Sequence, residues 1–235
     1  SLMELHASGV ALLPLGEGTE PPRLTDILLR ELADRLGALE RTPEVRVIVL
    51  LARGRAFALG ADTEAMSAMD QSALDGYLQL GQQVSAALRG SRALTIAALN
   101  GIAFGGGLEL ALACDLRWAH RRAAFELPEC KIGLLPAWGA TRLLRGAVPS
   151  SLAVELLCGR RLTAGEALSV GLVSRIFEGP KFEQEVLAAA SGLSRDAGES
   201  LPAIVELWRH SGSPEEHAAA ERRLFKARHA ARTQR

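Results

Sequence analysis

The chain has 235 residues, 48% of them hydrophobic, with 27 Lys and Arg against 27 Asp and Glu. That is enough for one substantial domain with its own core, and a net charge of zero gives the chain no overall electrostatic footprint for DNA or RNA, which needs clustered Lys and Arg. No polybasic or basic amphipathic stretch suits a membrane surface, and no apolar run is long enough to cross a bilayer.

Ser1-Leu2-Met3-Glu4 lacks the charged-then-apolar pattern of a secretory leader, and Ser1 and Leu2, ahead of Met3, read as cloning residues. Gly9 to Leu15 (GVALLPL) predicts a strand. Thr25 as N-cap and Asp26 in the first turn start a helix running to about Leu39. Val45 to Leu51 (VRVIVLL) is β-branched and almost wholly apolar, which suits a buried parallel strand. A helical pattern over 70–90 and a second buried strand, Leu94 to Leu99, follow. Gly105-Gly106-Gly107 then opens a helix through Ala113, and Asp115 to Ala119 returns as a strand. Further on, Thr163 and Glu166 form a capping box with Gly171 as the C′ glycine, and Ser213, Pro214 and Glu216 form a second with Pro at N1. Strands alternating with helices predict a parallel sheet covered by helices, with a helical tail behind it. There is no internal repeat or linker.

The three cysteines, Cys114, Cys130 and Cys158, form no CxxC pair, and no histidine stands near them at metal-ligand spacing. They read as free buried thiols in a reducing cytoplasm rather than as a zinc site. The five histidines (His6, His120, His210, His217, His229) lie outside every glycine turn and read as surface or satisfied residues.

Chemistry concentrates at two small-residue turns. Asn100 to Leu110 (NGIAFGGGLEL) is a strand, a glycine turn and a helix start, whose first N–H groups have no intrahelical partner and attract negative charge. A dinucleotide phosphate fits poorly there, because Glu109 stands two residues past Gly107 and no Lys-Ser/Thr follows. A transient oxyanion on a carbonyl tolerates a nearby acid that can do proton chemistry; a turn that merely packs helix on strand is the plain alternative. Ala56 to Asp62 (AFALGAD), after the Val45–Leu51 strand, repeats the logic, although alone such a segment is more often just a loop. Glu109 lies in an otherwise apolar helix, costly unless paired or functional. Glu129 follows a strand that Pro128 interrupts, with Glu126 as its competitor, and a solvated loop acid is the plain reading of it.

Taken together, AFALGAD, NGIAFGGGLELALACDLRWA and FELPECKIGLLP, in that order and spacing, resemble the crotonase (enoyl-CoA hydratase/isomerase) superfamily. The resemblance runs from about Gly9 to about Arg228, through GRRLTAGEALSVGLVSRIF and AERRLF. It implies an α/β fold, a crotonase-like spiral of repeated ββα units, with residues 1–180 as the core and 181–235 as a helical region of the kind that builds trimers or hexamers. It implies an enoyl-CoA hydratase-like lyase, with isomerase or other thioester chemistry, or a non-catalytic relative, as alternatives. The oxyanion hole maps to the amides of Ala61 and Gly106, the catalytic pair to Glu109 (base) and Glu129 (acid), and substrate contacts to Ala58, Gly60, Asp62, Gly105, Pro128 and Arg55. The partner is an acyl-CoA; metal, nicotinamide and flavin play no part, and the expected location is cytoplasmic.

Three features depart from the family pattern. Glu64 stands where a Lys is common, leaving the nucleotide end of coenzyme A to other residues, Arg55 or Arg23. The glycine-rich loop after Leu-Pro reads Pro136-Ala137-Trp138-Gly139-Ala140-Thr141, whose bulky Trp138 reshapes the acyl pocket. The sequence ends at Arg235, ahead of the last helix usual in the family, which packs near the coenzyme A site.

Overall fold

A computed structural model of the protein describes residues 3–16, 18 and 20–233; Ser1, Leu2 and Arg235 lie outside the described residues. In chain order the elements are β1 (Glu4–Leu5), β2 (Val10–Pro14), α1 (Asp26–Glu40), β3 (Val47–Leu51), β4 (Ala56–Ala58), α2 (Thr63–Ser67), α3 (Gln71–Gly90), β5 (Leu94–Leu99), β6 (Ile102–Phe104) and α4 (Gly106–Ala113). They continue as β7 (Leu116–His120), β8 (Ala124–Glu126), a 3-10 turn (Pro128–Ile132), α5 (Ala140–Ala147), α6 (Ser150–Leu157), β9 (Leu162–Thr163), α7 (Ala164–Ser169), β10 (Arg175–Phe177), α8 (Phe182–Ala197), α9 (Leu201–Arg209) and α10 (Pro214–Thr233). Every described element after β10 is helical.

Two sheets form. The larger runs β1-β2-β3-β5-β7-β10 and is parallel except at the β1–β2 edge; the smaller runs β4-β6-β8-β9. Each passage of the chain places one strand in the first sheet and the next in the second: β3 then β4, β5 then β6, β7 then β8. A helix carries the chain back after the first two passages, so the architecture is a spiral of ββα turns.

The near-continuous apolar strands are explained by burial on both faces. Val47, Val49 and Leu51 pack with Val10, Leu12, Ile96 and Ala98 under Phe182, Val186 and Ala190 of α8. Ile48 and Leu50 face the other way, into the main core with α1, α3 and α4. Each such aliphatic side chain, fully buried, contributes roughly 1.5–3 kcal/mol.

The capping residues act as their types dictate. The Thr25 side chain accepts from the Leu28 N–H, Asp70 caps α3, and Thr163 and Glu166 form a reciprocal capping box. Ser213 and Glu216 form the second: the Ser213 N–H donates to the Glu216 carboxylate at 2.6 Å, and the Glu216 N–H to Ser213 Oγ at 3.2 Å. Asp115 ties β5, β7 and α9 together, because it accepts from the Thr95 backbone N–H at 2.8 Å and pairs with Arg209.

The cysteines correct an expectation. All three are free, but only Cys114 is buried. Cys130 sits in the exposed 3-10 turn and Cys158 at the end of α6, so neither position is a core one.

Candidate active site

The strand β4 ends at Ala58, and the turn after it is held against residues 22–24. The Leu59 N–H donates to the Pro22 carbonyl and the Leu24 N–H to the Gly60 carbonyl, both at 2.9 Å. These two bonds fix the direction of the next amide, Ala61. Gly60 has φ +81°, and a Cβ there would lie 2.9 Å from the Phe104 carbonyl oxygen and 3.4 Å from the Gly106 nitrogen. Only glycine permits both the dihedral and the approach, and the approach brings the two turns predicted from sequence side by side.

The second turn rests on Gly105, with φ +52°, whose N–H donates to the Glu126 carbonyl at 3.0 Å. A Cβ at this residue would lie 2.9 Å from Glu129 Oε1, so the missing side chain is the seat of that carboxyl. Gly106 follows as the first residue of α4, where the N–H has no partner one turn back. Neither its amide nor that of Ala61 donates to a protein acceptor among the described residues. Both residues line one cavity of about 400 Å³, walled by Met66, Tyr77, Leu78 and Trp138, with Ile132, Leu134 and Leu135 standing exposed around it.

Glu109 and Glu129 line the same cavity. Glu109 is 2% exposed, yet it is not orphaned. Its Oε1 accepts from the Trp138 N–H at 2.9 Å and the Ala140 N–H at 3.0 Å. Its other oxygen has no protein hydrogen bond among the described residues. Burial raises its pKa, and the amides of the 137–140 segment oppose that rise by favouring the charged form. Glu129 has less opposition. Burial pushes it up to about 7, its own backbone amide pulls the other way, and the charges of Glu109 and Glu126 add to the rise. Its Oε2 is buried without a partner. The two acids therefore occupy different environments, one clamped by donors and one bare, which drives their protonation states apart.

The bare environment of Glu129 has a consequence for stability. A carboxyl whose folded pKa is raised carries no penalty below its unfolded value of 4.5 and the full penalty above about 7. Its contribution thus worsens as pH rises through that window. Glu129→Gln removes the ionisation, so its melting temperature relative to the parent should be higher at pH 8 than at pH 5. An equal offset at both pH values, measured by thermal denaturation, would refute this account of the carboxyl.

The other residues expected to touch substrate are placed differently. Pro128, Gly60 and Gly105 line the cavity. Ala58 packs beneath α4, its Cβ 2.7 Å from where a Gly107 side chain would begin. Asp62 caps α2, accepting from the N–H groups of Glu64 and Ala65 at 3.1 Å. Arg55 is exposed on the turn before β4, outside the cavity lining. Glu126 is buried outside the cavity lining and paired with Lys131, which does line the cavity. No histidine lines the cavity; His120 is buried with Nδ1 accepting from the Arg122 N–H at 3.2 Å. His6 departs from expectation, since its buried Nε2 has no partner. The residues that sequence reasoning missed are the amides of Trp138 and Ala140. A backbone donor leaves no mark in composition, although the oddity of Trp138 in a small-residue loop pointed to the segment.

A ββα spiral with two uncommitted amides and two unlike acids around an apolar cavity can hold charge on a carbonyl oxygen and move a proton beside it, and this architecture is that of the crotonase superfamily. The chain belongs to the enoyl-CoA hydratase/isomerase family, whose family model matches residues 6–234. It is 35% identical over 219 residues to the 2,3-dehydroadipyl-CoA hydratase of Escherichia coli (strain K12), covering 92% of this chain and 85% of that one. It is also 35% identical over 224 residues to the mitochondrial enoyl-CoA hydratase of Pongo abelii, covering 92% and 75%. Among solved structures, Pseudomonas aeruginosa DspI superposes with a TM-score of 0.89 at 30% identity, covering 98% of this chain and 95% of that one. Among the described residues no helix is long and apolar enough to cross a membrane, and no cluster of three metal-ligating side chains occurs.

Proposed function

We propose that the protein is an enoyl-CoA hydratase, a lyase adding water across the 2,3 double bond of an acyl-CoA thioester. The observation that carries this reading is the pair of unlike acids, Glu109 clamped by the Trp138 and Ala140 amides and Glu129 with its pKa near 7. The hydratase names of the relatives support it.

In this reading the thioester oxygen accepts from the amides of Ala61 and Gly106. That draws charge off the double bond, makes the β-carbon electrophilic and stabilises the enolate that forms. Glu109, as carboxylate, takes a proton from water as its oxygen bonds the β-carbon. Glu129, as neutral acid, delivers a proton to the α-carbon. The water is thus divided between the two carbons, and the pair resets when the proton on Glu109 returns to Glu129 by way of solvent. The acids act as a coupled pair, so the roles describe the dominant microstate. Coenzyme A enters as part of the substrate, and the chemistry asks for no further cofactor.

The reading extends to a homotrimer or hexamer built through the helices of residues 181–235, with 1–180 as the catalytic core. Exposed Ile204 and Phe225 supply apolar surface for that assembly. The free thiols suit a reducing cytoplasm, and the activity suits fatty acid metabolism. Purified protein should hydrate crotonyl-CoA, followed as loss of the conjugated thioester absorbance. Migration of the double bond in a 3-enoyl-CoA without hydration of crotonyl-CoA would overturn the assignment.

A further inference from the structure

Behind Trp138 the molecule opens a second and larger cleft, of about 820 Å³. Ala137 and Trp138 line both spaces, so the segment that clamps Glu109 divides them. The cleft is charged on one side of the balance only. Arg89 from α3, Arg117 from β7, Arg142 from α5 and Arg209 from α9 face a single carboxylate, Asp115.

That carboxylate is already occupied. Asp115 accepts from Arg209 through both oxygens and from Thr95 through its backbone N–H and hydroxyl. Arg117 donates to the carbonyls of Leu172 at 2.7 Å and Cys114 at 2.8 Å. Arg89 and Arg142 have no ion pair or side-chain hydrogen bond among the described residues, and Arg209 Nη1 is buried with no acceptor. The crowding is felt: burial first, then the charges of Arg142 and Arg209, lowers the pKa of Arg89. Like charges gathered in a walled cleft focus a positive field on the space between them. Guanidinium groups answer such a field through paired N–H donors to the oxygens of phosphate or carboxylate.

We propose that this cleft is a binding site for a small multivalent oxyanion of the phosphate class, held by Arg89 and Arg142 with the charge of Arg209 behind them. The site is separate from the acyl cavity; a free anion there is independent of the hydratase reading, and the coenzyme A source rests on it. The source of the phosphate is either a free anion or the phosphate of coenzyme A itself.

Inorganic phosphate is the probe, titrated calorimetrically into the full chain at pH 7.5 and constant ionic strength, with chloride as the reference anion. Saturable binding is expected, weakened about tenfold or more by Arg89→Gln and by Arg142→Gln, as expected for loss of a charged hydrogen-bond donor. Arg30→Gln, on the exposed face of α1, should bind as the parent does. Arg142 is exposed, so its variant tests the site even if Arg89→Gln folds poorly. Repeating the titration with saturating acetyl-CoA separates the sources. Undiminished phosphate binding identifies a free anion as the ligand, and competition identifies the coenzyme's own phosphate. Absence of saturable binding beyond that of chloride, or binding unchanged in both arginine variants, would overturn the proposal.

Discussion

Glu129→Gln should slow hydration of crotonyl-CoA by roughly 10²–10⁴-fold, and Glu109→Gln by a similar factor, because positioned acid–base groups contribute about that much each. The two losses should not multiply in the double variant, since groups acting on one water work as a unit. The geometry makes separate demands on the variants. Glutamine at 109 can still accept from the Trp138 and Ala140 amides, so the fold around it should hold while the base is gone. Glutamine at 129 keeps the seat over Gly105 but cannot release a proton. Binding of a saturated acyl-CoA should change little in either, because the Ala61 and Gly106 amides are untouched. Glu126→Gln is the internal control. Its carboxylate pairs with Lys131 and lies outside the cavity lining, so most activity should remain. The charge of Glu126 helps raise Glu129, so that variant should also move the alkaline limb of the pH profile downward. Near-full hydration by Glu109→Gln with Glu129→Gln inactive would replace the two-acid reading with a one-acid isomerase.

Much of this arrangement was legible in the sequence because its causes are local. In the larger sheet β2 and β3 are five-residue runs of unbroken apolar side chains and β5 is a six-residue run broken only by Thr95, and α1, α7 and α10 announce themselves by side-chain caps. The smaller sheet was legible only in part: strands were read before the glycine triplet and before Pro128, but not at Ala56, and nothing showed that they form a second sheet. Ala56–Ala58, Ile102–Phe104 and Ala124–Glu126 are three residues each, too short for a period of two to show, and their partners are one another and β9, all distant in the chain. Ala56 to Asp62 consequently read as a loop after a strand when its first half is itself a strand. Glu109 and Glu129 stood out, one for its apolar neighbours and one by resemblance. What separates their environments comes from donors distant in the chain, Trp138 and Ala140, which no spacing rule connects to position 109. The Arg-lined cleft gathers α3, α5, β7 and α9, and was invisible for the same reason.

Trp138→Ala should cost about 3–5 kcal/mol of stability, the range for deleting a buried aromatic side chain. The indole is 4% exposed and lies in a slot that two glycines leave open. A Cβ on Gly81 of α3 would meet its Cε2 at 2.0 Å, and one on Gly106 of α4 would meet its Cζ3 at 2.3 Å. Tyr77 closes the remaining side, with ring centroids 5.6 Å apart, and its hydroxyl donates to the Leu24 carbonyl at 2.6 Å. The ring and the two missing side chains thus form one packing unit, and that makes a sharper test than the single deletion. Gly81→Ala in the parent drives a methyl group into the indole and should destabilise by about 1–3 kcal/mol, as overpacking does. In the Trp138→Ala background the three closest contacts of that methyl group are gone, and it lies inside a 20-residue helix, where alanine is favoured over glycine by about 1 kcal/mol. The sign of the Gly81→Ala effect should therefore reverse between the two backgrounds, as read by urea denaturation. The same deletion removes the partition between the 400 Å³ acyl cavity and the 820 Å³ cleft behind it, so longer acyl-CoA substrates should gain in kcat/KM relative to crotonyl-CoA. Glu109 keeps its clamp in the variant, because both donors are backbone amides. Additive effects of Gly81→Ala and Trp138→Ala, with chain-length preference unchanged, would show that the indole neither fills the slot nor closes the cavity.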